Sequence, residues 1–195
     1  MNLLKIPTFN IINWTNSSFD TLYNLINAFF KKIYYRGEQY YVGGKLHRKD
    51  GPAVIGQDGR LEYYQDGQLH RENGPAIING TRKEYYQYGK LHRENGPAVQ
   101  IFSFYKEYWM NGQLHREDGP AIMHHDGTKI YYIHGKKHRL EGPAIIGPKE
   151  KGEWFISNIN ITDEVNEWLL LTGYKVPLNK QQQAEFKLRF LFNEL

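Results

Sequence analysis

Short runs of alternating hydrophobic and polar residues, separated by turn dipeptides, extend from residue 36 to residue 158. This alternation is typical of β-strands with one packed face and one accessible face. Asp66-Gly67 and Asn111-Gly112 are strong signals for two-residue type I′ turns, which need positive φ at both central positions. Each turn with its two flanking runs therefore predicts a β-hairpin. Other glycine-containing pairs fill the same slots: Gly43-Gly44, Tyr88-Gly89 and His134-Gly135.

The hairpins recur with a period of 22 or 23 residues. Each has an aromatic pair before its turn, Leu-His-Arg or Lys-His-Arg after it, and then Gly-Pro-Ala. The repeated histidines are His47, His70, His92, His115 and His138. Units that cannot bury a face alone stack on their neighbours, so five of them predict about eleven short strands. We therefore predict a mainly β fold, an elongated single-layer antiparallel meander of about five hairpin repeats.

The turn positions also predict how the strands of each hairpin pair. Pairing outward from the turn places Tyr64 opposite Leu69 and, one step further, Tyr63 opposite His70. In three repeats the next step places a carboxylate opposite the repeated arginine: Glu62–Arg71, Glu84–Arg93 and Glu107–Arg116. Opposite charges across a strand pair stabilise it by a few tenths to about 1 kcal/mol. These are predicted structural cross-strand pairs.

The same register gives each hairpin two different faces. One carries an aromatic–leucine pair, such as Tyr64–Leu69, and we expect it to be packed. The other carries a tyrosine–histidine pair, and we expect it to be the accessible face and the candidate binding stripe. Its residues are Tyr63, His70, Tyr85, His92, Tyr108, His115, Tyr131 and His138.

Helical patterns flank the repeats and divide the chain into three parts. Residues 1–35 are predicted as an N-terminal helical cap, residues 36–158 as the repeat array and residues 159–195 as a C-terminal helical cap. Thr162 is the predicted N-cap of a helix ending at Gly173, and a second helix is predicted to begin at Asn179. The predicted buried positions are Phe19, Leu22, Ile26, Phe29, Phe30 and Ile33 at the N-terminal end, and Val165, Trp168, Leu169, Thr172, Ala184, Phe186, Phe190 and Leu191 at the C-terminal end.

Those helices have two possible roles. An open sheet needs its terminal edges covered, which favours capping. The alternative is that one of them offers an apolar groove or a docking helix to a partner.

Composition excludes several classes of protein. The chain has 195 residues, no cysteine and a formal net charge of +4 that is spread along the sequence. Without cysteine there are no disulfides, no thiolate metal sites and no cysteine nucleophile. The first residues show no charged region followed by an apolar core, so we expect no signal peptide. No eighteen apolar residues run together, so we expect no transmembrane segment and a cytoplasmic, not secreted, location.

The repeated histidines do not predict a metal site. Equivalent residues in successive hairpins lie two strands apart, about 9.5 Å, whereas each ligand of one zinc ion lies about 2 Å from it. The serines lie in no glycine-flanked nucleophile elbow, and the glycines form no phosphate-binding loop. Catalysis needs unlike residues converging on one point, and a regular array repeats like residues along a line. We expect no enzyme activity, no cofactor and no metal.

The repeat resembles a known family. With tyrosine or tryptophan three residues before the Asn/Asp-Gly turn and histidine three residues after it, each unit resembles a MORN repeat. Its His-Arg-x-x-Gly-Pro-Ala segment is similar to the MORN-like arrays abundant in large DNA viruses and some phages. The resemblance covers residues 36–158 and implies an elongated β-sheet scaffold with protein partners. It supplies no catalytic residues.

The sequence leaves three classes of binding partner open: protein, lipid and nucleic acid. A tyrosine-rich surface with little net charge is typical of protein interfaces, which favours scaffolding through a protein partner or self-association. Peripheral binding to anionic lipid headgroups is the alternative, and nucleic-acid binding ranks third. A viral structural or accessory role is compatible with the resemblance, either in the virion or in the host cytoplasm. A further hypothesis is that His70, His92 and His115 make association sensitive to pH near 6.

Overall fold

An antiparallel meander of ten strands forms the main sheet of the protein. The computed structural model describes residues 25–26, 37–148 and 152–192. Within them the main-sheet strands follow one another in chain order, each pairing antiparallel with the next. The strands are Glu38–Gln39, Val54–Ile55, Leu61–Glu62, Ile77–Asn79, Arg82–Glu84, Val99–Ile101, Tyr105–Glu107, Ile122–Met123, Lys129–Ile130 and Ile145–Ile146. The predicted mainly β fold and its hairpin meander are confirmed.

Alternate main-sheet strands, beginning with the first, end immediately before the first residue of an aromatic pair. There the backbone N–H of Tyr63 donates to the carbonyl of Ala76 at 2.7 Å, and Tyr85 does the same with Ala98 at 2.7 Å. The chain then continues into a separate two-stranded hairpin. The six hairpins are Tyr41–Val42 with Lys45–Leu46, Tyr64–Gln65 with Gln68–Leu69, Tyr86–Gln87 with Lys90–Leu91, Trp109–Met110 with Gln113–Leu114, Tyr132–Ile133 with Lys136–Lys137, and Phe155–Ile156 with Ile159–Asn160.

The hairpin turns have the predicted positive φ angles. Asp66 and Gly67 have φ of 51° and 83°, and Asn111 and Gly112 have φ of 52° and 82°. The predicted register is confirmed close to the turn, where Tyr64 pairs with Leu69. The backbone N–H of His70 also donates to the carbonyl of Tyr63 at 3.0 Å. The pairing predicted beyond that point is not formed, because the strand turns into the main sheet.

Successive hairpins are joined by backbone hydrogen bonds although they form separate ladders. The N–H of Gly67 donates to the carbonyl of Leu46 at 2.9 Å, and the N–H of Arg48 donates to that of Tyr64 at 3.3 Å. The equivalent bonds recur between each later pair of hairpins. A unit is therefore held to the next one twice, once through the main sheet and once through the hairpins.

The interior of the array is made of small residues. The alanine of each Gly-Pro-Ala segment has no exposed surface: Ala53, Ala76, Ala98, Ala121 and Ala144. Ile77 and Val99, on the inner face of the main sheet, are 6% and 1% exposed. An array only one or two layers thick has little room for a large core, so each rung buries small side chains and relies on hydrogen bonds.

The larger core lies at the C-terminal end. Helix α1, Thr162–Thr172, and helix α2, Lys180–Phe190, pack on the last hairpin. The buried residues of this cluster are Trp154, Ile156, Val165, Trp168, Leu178 and Phe186. Gly173 ends α1 with φ of 70°, and Asn179 begins α2 with a capping box formed with Gln182. The two predicted C-terminal helices are confirmed.

Three details of the helix predictions are wrong. Ile161, not Thr162, occupies the N-cap of α1; Thr162 is the first helical residue, and its hydroxyl accepts the N–H of Trp154 at 2.9 Å. Thr172 and Ala184 are exposed rather than buried, because the packed side of each helix is narrower than the sequence pattern indicates. At the N-terminal end Leu25 and Ile26 are helical, and the rest of the predicted cap lies outside the described residues.

Candidate interaction surface

The five repeated arginines lie on tyrosine rings. Each guanidinium carbon is 3.7–4.0 Å from the centre of the first tyrosine of its own repeat. This is the geometry of a cation–π contact, which a planar guanidinium makes well. The pairs are Arg48–Tyr40, Arg71–Tyr63, Arg93–Tyr85, Arg116–Tyr108 and Arg139–Tyr131.

Each arginine also holds the Gly-Pro-Ala segment of its repeat. Nη1 of Arg71 donates to the carbonyl of Pro75 at 3.1 Å, and Arg93 makes the same bond to Pro97 at 3.1 Å. The preceding glycine makes room for the guanidinium. A Cβ on Gly119 would lie 3.1 Å from the guanidinium carbon of Arg116, so a larger residue there would crowd the stacked arginine. The constant spacing between the arginine and the Gly-Pro dipeptide is thus explained by one contact that recurs in each repeat.

The predicted arginine–glutamate pairs are wrong. Glu62 pairs in the main sheet with Val54 and Ile77, not with Arg71, because the strand leaves the hairpin at the aromatic pair. Glu84 and Glu107 occupy the same position and are not paired with Arg93 and Arg116.

The three glutamates instead make contacts within their own strands. Glu62 forms an ion pair with Nε of Arg60 at 2.8 Å and accepts a hydrogen bond from the Tyr64 hydroxyl at 2.8 Å. Burial and this carboxylate raise the pKa of Tyr64 to about 12. In the next units Glu84 contacts Arg82 and Tyr86, and Glu107 contacts Tyr105 and Trp109.

The repeated histidines connect each unit to the next hairpin turn. Nδ1 of His70 accepts the backbone N–H of Tyr88 at 3.2 Å, and Nδ1 of His92 accepts that of Asn111 at 3.1 Å. His47, His115 and His138 accept the corresponding N–H groups of Asp66, His134 and Ser157. A ring nitrogen can accept a hydrogen bond only when it carries no proton itself, so each of these bonds is made by an unprotonated Nδ1. Nδ1 of His47 also lies 3.1 Å from Oδ1 of Asp66.

The expected accessibility of the tyrosine–histidine stripe is wrong. His70 and His92 are each only 8% exposed, and Tyr63, Tyr85, Tyr108 and Tyr131 are half-buried. The cause is tertiary: an arginine covers each tyrosine, and the next hairpin covers each histidine. His115 and His138 are also half-buried. The stripe that the sequence places on a free face is the connection between repeats.

The side chains of the described ranges form no cluster with the composition of a metal site. Residues 37–148 and 152–192 contain no group of three His, Asp or Glu side chains arranged around a common centre. His124 and His125 lie in a turn, where their rings contact Tyr105 and Phe104 at 5.2 and 6.2 Å. The repeated arginines and histidines each have a structural partner in their own or the next repeat.

The accessible surface formed by the repeats lies along the His-Arg-x-x-Gly loops. Successive loops line open clefts, and three of these are bounded by Glu72, Glu94 and Glu117. The cleft between the first two loops has a volume of about 580 Å³. Exposed carboxylates therefore recur along this edge, with one in each repeat except the fourth, which has both Glu117 and Asp118. There Asp118 pairs with Arg116 at 2.9 Å, and Glu117 lies 3.8 Å from Nε2 of His115. These carboxylates occupy the x-x positions that separate histidine-arginine from glycine, the one variable part of the segment.

A second accessible surface is apolar. Phe102 and Phe104 are 55% and 51% exposed, and their rings stack 5.4 Å apart at a main-sheet turn. Phe102 has φ of 50°, where the corresponding turns use Gly59, Gly80 and Gly127. A bulky residue in this conformation is strained, and strained exposed residues occur often at functional sites.

Comparisons with family models, curated proteins and solved structures found no match. The class of protein is therefore defined by its own geometry, an antiparallel array of hairpin repeats with helices at its C-terminal end. Across the described part of the chain, no helix has both the length and the apolar character needed to cross a bilayer.

Proposed function

We propose that this protein is a non-catalytic, MORN-like repeat scaffold whose loop edge binds a protein partner. The observation that carries the proposal is that some polar side chains of each repeat make structural contacts whereas others do not. Arginine, histidine and the first tyrosine hold the array together, whereas Glu72 and Glu94 have no ion-pair partner among the described residues. The loop edge is thus free to contact another molecule.

The edge favours an extended partner that carries positive charge. Its clefts recur every second main-sheet strand, a spacing of about 9.5 Å. A partner that presents cations at a similar spacing would contact several clefts at once, and several weak charge pairs together give both affinity and register. In keeping with the resemblance, we propose a cytoplasmic or virion-associated accessory role.

The test is affinity purification from the native source, followed by mass spectrometry of the proteins that co-elute. The variant Glu72→Gln/Glu94→Gln/Glu117→Gln removes the charges and keeps the shape of the edge. We expect it to lose the partner at least tenfold, because the loops no longer attract cations.

The matched control is Asp163→Asn/Glu164→Gln/Glu167→Gln, which removes three exposed charges from α1 and should retain the partner. Equal recovery with both variants would contradict the assignment to the loop edge. Absence of any protein enriched over a mock purification, together with a tagged chain that captures no untagged copy of itself, would contradict the scaffold itself.

Peripheral binding to anionic lipid headgroups is a second candidate, supported by a different surface. Lys83, Lys106 and Lys129 share one face of the main sheet, and the exposed rings of Phe102 and Phe104 lie in the turn before the strand of Lys106. Lysines beside exposed aromatic rings suit an anionic membrane surface. Sedimentation with vesicles containing phosphatidylserine, compared with vesicles of phosphatidylcholine alone, tests it: equal sedimentation with both kinds of vesicle would reject this candidate.

A further inference from the structure

One file of residues crosses the outer face of the main sheet. Its members are directly opposite one another on successive strands: Ile78 faces Lys83, which faces Gln100, and Gln100 faces Lys106. Lys106 in turn faces Met123, and Met123 faces Lys129. Opposed residues lie on the same face of a sheet. The buried residues Ile77 and Val99 lie on the other face, so this file points outward.

The three lysines of this file are an unpaired, single-sign row. Lys83 and Lys129 are exposed and Lys106 is half-buried. None of them has an ion pair among the described residues. Among those same residues Glu38, at the far end of the sheet, is the single carboxylate in the file. Neighbouring lysines are two strands apart, so the row has a spacing of about 9.5 Å.

The loop edge of the same molecule has the complementary charge at the same spacing. Glu72, Glu94 and Glu117 recur once per repeat, as do Lys83, Lys106 and Lys129. Both rows are produced by one structural period, so their spacings are equal whatever the value of that period. A basic protein with unrelated spacing would align one cation with one carboxylate of this edge. A second copy of this chain aligns three lysines with three carboxylates.

We propose that copies of this protein associate laterally, with the lysine row of one copy placed along the carboxylate-lined clefts of another. This rests on the proposed scaffold function and names the partner of its loop edge. An exposed charge pair contributes little alone, so the contact depends on all three rungs being matched simultaneously. The two surfaces differ, so the contact is heterologous and leaves one surface of each copy free to bind a further copy.

The exposed phenylalanines fit the same contact. Phe102 and Phe104 lie in the turn that joins the strand of Gln100 to the strand of Lys106, so both exposed rings are at the strand ends beside the lysine row. They add apolar area at one side of a row that is otherwise charged. Apolar anchors beside a charged rim are typical of protein interfaces.

Sedimentation velocity of the purified full chain tests the proposal across the micromolar range at low and moderate salt. We expect the weight-average mass to rise with protein concentration and this association to weaken as salt is added. The variant Lys83→Glu/Lys106→Glu/Lys129→Glu and the variant Glu72→Lys/Glu94→Lys/Glu117→Lys should each associate at least tenfold more weakly. An equimolar mixture of the two should regain association, because each carries the charges that the other now lacks.

The matched control is Asp163→Lys/Glu164→Lys/Glu167→Lys, which should associate like the wild type. Circular dichroism establishes that each variant is folded before mixing. A wild-type chain that stays monomeric at every concentration overturns the proposal, as does a mixture of folded variants that fails to associate. A monomeric chain that captures a different protein through Glu72, Glu94 and Glu117 retains the scaffold function but rejects self-pairing. Binding of anionic vesicles or oligonucleotides by a monomeric chain through the lysine row assigns that row to those ligands instead.

Discussion

At the scale of single residues, the conspicuous polar side chains of the repeat are structural. Arg71 illustrates this: it covers Tyr63 and donates to Pro75, so one side chain joins the aromatic pair to the Gly-Pro-Ala segment. His70 joins the same repeat to the next turn through Tyr88. Charged and titratable groups that are used in this way should affect stability, not chemistry.

The arginine contact gives the first prediction. Arg93→Lys keeps the charge but loses the planar stack on Tyr85 and the fixed bond to Pro97, so it should lower the free energy of unfolding by about 1–2 kcal/mol. Urea denaturation measures this. The control Arg189→Lys changes an exposed guanidinium 5.7 Å from the Phe190 ring and should cost less than about 0.5 kcal/mol. Equal costs would contradict a stacking role for Arg93.

The histidine contact gives a prediction about pH. Burial lowers the pKa of His138, whose Nδ1 accepts the N–H of Ser157. The folded state therefore disfavours protonation relative to the unfolded chain, in which histidine has a pKa of about 6.5. The stability from this group is present above that pH and is lost as the pH falls through the lower, folded-state value.

The measurement is the urea midpoint at several pH values between neutral and mildly acid. His138→Gln should make the midpoint less dependent on pH, because the glutamine carbonyl can still accept the N–H and does not titrate there. His125→Gln, at an exposed turn, should leave the wild-type dependence unchanged. Identical pH profiles for the His138 variant and the wild type would show that this imidazole does not contribute.

At the scale of elements, the hairpin is set by its turn and ended by its aromatic pair. Both central turn residues have positive φ in each unit, including non-glycine residues such as Tyr88, with φ of 48°, and Asn158, with φ of 73°. The turn N–H groups are also used between hairpins, where that of Gly67 donates to Leu46. A change in the turn should therefore weaken two hairpins together.

The second turn position gives the next prediction. Gly67→Ala forces an L-residue to adopt φ of 83° and should lower the unfolding free energy by about 1–2 kcal/mol. The space itself is adequate, since the nearest atom to an added Cβ is Lys45 Cβ at 3.5 Å. Gly67→Asn should cost clearly less, because asparagine tolerates this conformation and Asn158 already occupies the equivalent position. If alanine and asparagine cost the same, backbone conformation is not the cause.

At the scale of the whole molecule, stability is distributed unevenly along the array. The repeats bury small residues, whereas the C-terminal end buries Trp154, Trp168 and Phe186 in one aromatic cluster. In a linear array each unit contacts its neighbours only, so a cap stabilises the last rung directly and distant rungs weakly. Exposed Leu170 and Leu171 on α1 lie outside this cluster, and nothing in the described structure covers them.

Phe186→Ala tests this distribution. The ring is fully buried and 5.3 Å from Trp154, so its removal should lower the free energy of unfolding of the cap by about 3–5 kcal/mol. Hydrogen exchange should show lost protection in α1, α2 and the last hairpin, with protection retained near Tyr64–Gln65. Leu188→Ala, at a position 64% exposed, is the control and should change little. Uniform loss of protection would mean that the array unfolds as one unit.

The sequence by itself determined the period, the hairpins, the turn conformations and the C-terminal helices. The period is a repetition within the sequence, and each of the other features depends on residues of a single hairpin or helix. Asp66-Gly67 requires a turn, and the glycine at 173 ends a helix, in almost any context. Tertiary structure decided the rest. Where the strand bends at Tyr63 and how deeply His70 is buried both depend on the neighbouring rung, whose contact residue Tyr88 lies 18 residues from His70 in the chain. Arg71 covers a ring of its own repeat, Tyr63, which lies where that strand bends. Glu72 and Lys83 became candidate surface residues only when the fold showed that neither forms an ion pair among the described residues.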